Sequence, residues 1–282
     1  AFVPLILACA YAVFDGTTEK RDRARAFFLV LLGCLLAVFA QPNLVFSVFA
    51  LFIPYGAYRV WNVVSDHATS HVRLLQFCGM GAFFVIIIVV WAFCLNASFM
   101  QSVVNFDWPA LSTIPQAFVD TLFVCSSLTP ISPVLALFLV IGIVGTFKER
   151  NHLWITVLFI FVTIMYVACV ATNGSLDRIL TGFWYTDRFR ISALLAIVQT
   201  LLIAFGLGKT YSFIRKRKNY KRPIWIALTV VLFVLLLFPS FTLRGLTIVD
   251  TPFGHLRHEL HSLYRSDQAD NEAVFSQEEQ DF

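Results

Sequence analysis

Five side chains within seven positions, Trp184, Tyr185, Asp187, Arg188 and Arg190, carry the chain's strongest chemical signal. They fall in GFWYTDRFRIS, residues 182–192, between two long apolar runs. A pair of guanidinium groups can grip a phosphate or pyrophosphate, because each planar fork meets two anionic oxygens at once. A helix starting at this point would add unpaired backbone N–H groups and a partial positive charge. Trp184 and Tyr185 offer flat faces to a sugar ring or a lipid chain. Asp187 can cap the helix start, and its three-residue spacing from Arg190 sets both on one helical face, where they pair. An interfacial aromatic belt with a cap and snorkelling arginines would use the same residues, and the pattern alone leaves both readings open.

The surroundings decide what kind of molecule holds them. Of the 282 residues, 59% are hydrophobic and 13% charged, with 30 phenylalanines and a mean hydropathy of +0.77. A soluble domain carries about 25% charged residues, so this chain lacks the charge to cover a water-facing surface. It reads as an all-α, polytopic bundle of about seven or eight transmembrane helices. Candidate spans are 1–14, 26–40, 43–58, 74–95, 131–147, 152–172, 191–208 and 224–243, judged against the ~20 residues a bilayer requires. The pair 26–40 and 43–58 is short and separated only by Gln41-Pro42-Asn43, so it reads equally as a spanning hairpin or a re-entrant one.

Orientation follows from the loops. Residues 15–25, 59–73, 148–151 and 209–223 hold most of the 21 basic residues, from Lys20 and Arg21 to Lys221 and Arg222. Cytoplasmic loops carry that excess, which places GFWYTDRFRIS and the C-terminal tail outside. The basic run at 215–222 is explained by topology and anionic headgroups, and no nucleic-acid partner is expected. Loop 96–130 contains no Lys or Arg, and its prolines and interleaved polar residues predict short helices along the outer interface. Within it Asp107 is a candidate base for an acceptor hydroxyl, or a turn residue in NFDWP.

Residues 1–243 are read as the transmembrane bundle and 244–282 as the start of an extracytoplasmic domain. His255, His258 and His261 step by three and fan across a helix, so no zinc site is expected. The six cysteines show no clustered spacing, which argues against a disulfide framework. No cofactor is expected. The chain opens without Met inside an apolar run and ends at SQEEQDF, and we read it as a segment of a longer protein.

Three blocks, FWYTDRFRISALLAIVQTLLIAFGLG, AQPNLVFSVFALFIP and FDWPALSTIPQAFVDTL, resemble an actinobacterial family of polytopic membrane proteins of unknown function. That family is in turn similar to the GT-C superfamily of glycosyltransferases. The resemblance implies a GT-C-like fold and a lipid-linked sugar phosphate donor, a polyprenyl phosphate, used at the outer face of the cell membrane. It further implies a glycan or glycolipid acceptor in the cell envelope, with membrane lipids as the remaining partners. Gln41 departs from the His that relatives show before Pro42-Asn43. The catalytic carboxylate of such enzymes lies in the first outer loop, which the resemblance puts upstream of Ala1, so no catalytic base is assigned. Trp184, Tyr185, Asp187, Arg188, Arg190 and Asp107 are the candidate substrate-binding residues. Two other functions fit the composition, an envelope-lipid transporter or flippase and a non-catalytic scaffold. The near absence of charge inside the spans weighs against transport.

Overall fold

A computed structural model describes residues 2–15, 18–67, 71–106, 108–126, 131–216, 226, 229–231, 241–243 and 246–249. Long apolar runs become helices because a bilayer interior leaves the backbone no other way to satisfy its own hydrogen bonds. In chain order these are α1 (Phe2–Phe14), α2 (Lys20–Ala40), α3 (Asn43–His67) and α4 (Val72–Asn96). After two short helices, α5 (Gln101–Val104) and α6 (Ile114–Leu122), come α7 (Pro133–Lys148) and α8 (Leu153–Ala171). Next come α9 (Ser175–Thr181) and α10 (Arg188–Arg215). The described residues outside this helical plan include an antiparallel ribbon of β1 (Phe241–Leu243) and β2 (Leu246–Val249), which lies across the boundary expected at 243.

Among the described residues, five helices are long and apolar enough to cross a membrane: Lys20–Ala40, Asn43–Ser65, Val72–Asn96, Arg150–Ala171 and Arg188–Arg215. The protein is a multi-pass membrane protein whose apolar faces meet lipid. The expected spans 1–14 and 131–147 correspond to shorter apolar helices, Val3–Phe14 and Pro133–Lys148. Most of the expected span 224–243 lies outside the described residues, as do 250–282 and their histidines. The hairpin at 26–58 is longer than its apolar core. Helix α2 begins at Lys20 and α3 runs to His67, giving about 31 and 37 Å at 1.5 Å per residue. Both helices therefore have the length to cross fully. Arg23 closes the turn before α2, donating from Nη2 to the carbonyls of Asp15 (3.0 Å) and Thr18 (3.2 Å).

Helix α8 is the axis of the bundle, with Leu158, Val162 and Met165 fully enclosed. It packs against α3, α6, α9 and α10. Thr146 of α7 and Thr156 of α8 share a buried hydroxyl–hydroxyl hydrogen bond of 2.6 Å. Helices α7 and α10 cross at their glycines. A Cβ on Gly142 would stand 2.1 Å from the Leu202 carbonyl oxygen, and one on Gly206 would stand 2.1 Å from that of Phe138. Small residues let membrane helices touch backbone to backbone, where dispersion is the main attraction. Helix α4 is the opposite case. It packs on α3 and exposes Phe77, Ile86, Ile88 and Phe93 to the lipid.

The two ends of the bundle differ in chemistry. At one end Tyr11, Tyr55 and Trp154 stack edge to face beside the 148–152 connection. There Lys209 pairs with Glu149, and His152 Nδ1 lies 3.6 Å from Glu149 Oε2. The lysine holds the Glu149 carboxyl below its ordinary range. At the other end the connections 41–43, 97–113 and 172–187 come together and build the candidate site.

Candidate functional site

The stretch 182–190 forms a strained corner between two helices. Gly182–Trp184 make a single 3₁₀ turn, then Tyr185 and Thr186 adopt positive φ values of 62° and 48°. For a β-branched residue such as Thr186 this is a genuine outlier, and each costs on the order of 1–3 kcal/mol unless its surroundings hold it. They do. The Thr186 hydroxyl donates to the Phe106 carbonyl (3.0 Å) and accepts from the Trp108 amide (3.3 Å). The Thr186 carbonyl accepts from the Cys169 thiol (3.1 Å), and its amide donates to Thr181 O (3.3 Å). One residue thereby fastens the 106–108 segment and α8 to the start of α10.

The corner aims the charged groups. Asp187 caps α10: its Oδ1 accepts from the Phe189 amide at 2.8 Å. Its Oδ2 lies 3.2 Å from Arg190 Nε. The cap and the pair read from the three-residue spacing are both present. Arg190 is braced a second time, with its guanidinium carbon 4.7 Å from the centre of the Tyr185 ring. Arg188 lies over Phe189 at the same distance. Such cation–π contacts contribute about 0.5–1 kcal/mol at exposed sites. Asp187, Arg188 and Phe189 border a small cleft with Trp108, Pro109, Leu111 and Thr186. Its volume is about 50 Å³, room for a few waters.

Trp184 is placed elsewhere. Its side chain is 1% exposed, inside the core, and its Nε1 donates to Ser47 Oγ at 2.9 Å. Phe183 beside it stacks on Phe46 with ring centres 4.1 Å apart. Trp184 is thus enclosed and ties the corner to α3. Tyr185 is the aromatic that stays partly accessible. Asp107 lies outside the described residues, although its neighbours Phe106 and Trp108 are the two that Thr186 holds.

Loop 97–126 forms the expected short helices and is pinned to the bundle. Thr113 caps α6, the amides of Leu111 and Ser112 both donate to Val170 O (3.0 Å each), and Gln199 of α10 donates to Thr121 O (2.8 Å). Asp120 accepts from Gln116 Nε2 (2.7 Å) and lies 3.6 Å from Cys125 Sγ. Burial and the Asp120 charge push the Cys125 thiol up to about 11. At neutral pH it stays protonated and is a poor nucleophile.

Sequence reasoning missed Thr186, Ser47 and Asn43. Ser47 stands 137 positions from Trp184, too far for any local pattern. Asn43, next to the Pro42 turn, is buried with its Oδ1 unpartnered among the described residues. Asp177 is a buried carboxylate on α9, whose Oδ1 accepts from the Thr181 hydroxyl at 3.2 Å.

No characterised protein and no solved structure matches the chain. One family model covers residues 1–282, and the chain belongs to that family of unknown function, DUF6541.

Proposed function

We propose that the protein is a membrane glycosyltransferase-like protein using a polyprenyl-phosphate-linked sugar for cell-envelope polysaccharide or glycolipid. It works at the outer face of the cytoplasmic membrane. The observation that carries this reading is the braced arginine pair beside an anion-favouring helix start. Asp187 takes Nε of Arg190 and Tyr185 covers its face, which leaves the terminal nitrogens of the fork to a phosphate. The orientation rests on the loops: the Glu149 end gathers the basic connections, and the positive-inside rule makes that end cytoplasmic.

In the proposed reaction the acceptor hydroxyl oxygen attacks the anomeric carbon and the bond from that carbon to the phosphate oxygen breaks. The electron pair leaves with the lipid phosphate, and the hydroxyl proton goes to a carboxylate acting as general base. Arg188 and Arg190 stabilise the charge that gathers on the departing phosphate, and preorganised cations of this kind are worth about 10²–10³ in rate. The C-terminal tail lies on the same outer side.

The test is sugar transfer by Arg190→Ala and Arg190→Lys proteins in membranes, with abundance measured in parallel. Transfer should fall at least 100-fold in Arg190→Ala and recover partly in Arg190→Lys, at normal abundance. Full transfer by Arg190→Ala would end the proposal and leave lipid transport or scaffolding as the activity.

A further inference from the structure

Among the described residues, a cavity far roomier than the cleft at the arginine corner lies elsewhere. It is a groove of about 990 Å³ between α3, α4 and α8, open on its lipid side and walled by Pro54, Phe84, Ile88, Trp91, Trp154 and Phe161. Pro54 lies within helix α3. Its missing N–H leaves the Ala50 carbonyl without its usual helical donor, a frequent cause of bending. Met80 and Asn96 of α4 mark the span of the groove, about 24 Å of helix, most of a ~30 Å hydrocarbon core.

Its polar residues sit at its two extremes. Asn62, Arg150 and Asn151 stand at the end where basic connections gather, and Asn96 stands at the other. Between them the wall is aliphatic and aromatic. Glu149, adjacent to Arg150, is taken up by Lys209 and His152. A slot that is apolar at membrane depth and cationic at one mouth complements one class of molecule. We infer that the groove seats a hydrocarbon chain of an anionic phospholipid, its phosphate at Arg150, drawn from the leaflet on that side. In the orientation argued above this is the cytoplasmic leaflet, where anionic lipids are concentrated. The site is separate from the arginine corner, which contributes none of the residues lining the groove.

The experiment uses the full chain reconstituted in vesicles with a photoreactive group on one acyl chain of either phosphatidylglycerol or phosphatidylcholine. Phosphatidylglycerol should label Met80, Phe84, Ile88 and Trp154 several-fold more than phosphatidylcholine. Arg150→Gln should erase that preference. Ala92→Trp, which adds bulk at an exposed groove position, should lower labelling at all four sites. Equal labelling by the two lipids, or labelling unchanged in Ala92→Trp, would overturn the inference. So would displacement by an equal amount of polyprenyl phosphate, which would make the groove a donor-chain site, or cross-links to a second copy of the chain.

Discussion

The α7–α10 seam and the α3–α4–α8 groove are both built by apolar helices in the same bundle, yet they are opposites. At the seam two backbones touch, with Gly142 against Leu202 and Gly206 against Phe138. At the groove the side chains of α3, α4 and α8 stand apart around open space. Apolar composition by itself therefore does not pack a membrane protein, because lipid tails solvate a leucine as well as another helix does. Small residues, buried hydroxyls and hydrogen bonds at the bundle's ends decide which helices close up. The closed side also supports the arginine corner, since α10 runs from the Asp187 cap through the glycine seam.

The hardest way to break this contrast is Gly142→Ala. A methyl placed 2.1 Å from a backbone carbonyl must force the helices apart, and overpacking of this kind costs about 3 kcal/mol or more. Thermal unfolding in detergent should show a large loss of stability. Trp184→Phe comes next. It leaves a smaller aromatic ring with a void beside it and removes the donor to Ser47, and a buried hydroxyl left short of a partner costs about 1–3 kcal/mol. The same melting assay should report that loss, and a normal melting temperature would mean the corner is not held to α3 through this bond.

Gly81→Ala is the counterpart to Gly142→Ala. A Cβ at Gly81 of α4 meets nothing within 4 Å, so stability should change by less than about 1 kcal/mol, in the stabilising direction that helix propensity favours. Loss of the folded protein in this variant would mean that α4 is as tightly packed as α10. The smallest effect belongs to Glu149. Lys209 depresses its folded carboxyl below the ordinary carboxylate range. Its contribution is thus present above the unfolded value and lost as pH falls through the folded one. A shallow decline in melting temperature at acid pH, absent in Glu149→Gln, is the expected result.

Much of the fold was readable from hydropathy, and the parts that were not share a cause. Apolar runs locate spans but not helix ends, since Lys20 to Arg25 and Ser65 to His67 continue their helices through mainly charged and polar side chains. The Asp187 cap and the Asp187–Arg190 pair were legible because both are local, three residues or fewer apart. Trp184 was not, since an indole suits a headgroup belt and a core equally until its partner is known. That partner, Ser47, lies on another helix, and so does each glycine's partner across the seam. Contacts of this kind leave no periodicity behind.

The fastening at Thr186 has a thermodynamic corollary. One hydroxyl bridges the backbones of Phe106 and Trp108 while its own backbone sets the lip on which Asp187 and Arg190 stand. Linkage is reciprocal, so any ligand that binds better when Thr186 is held against Phe106 and Trp108 must in turn make that hold firmer by an equal factor.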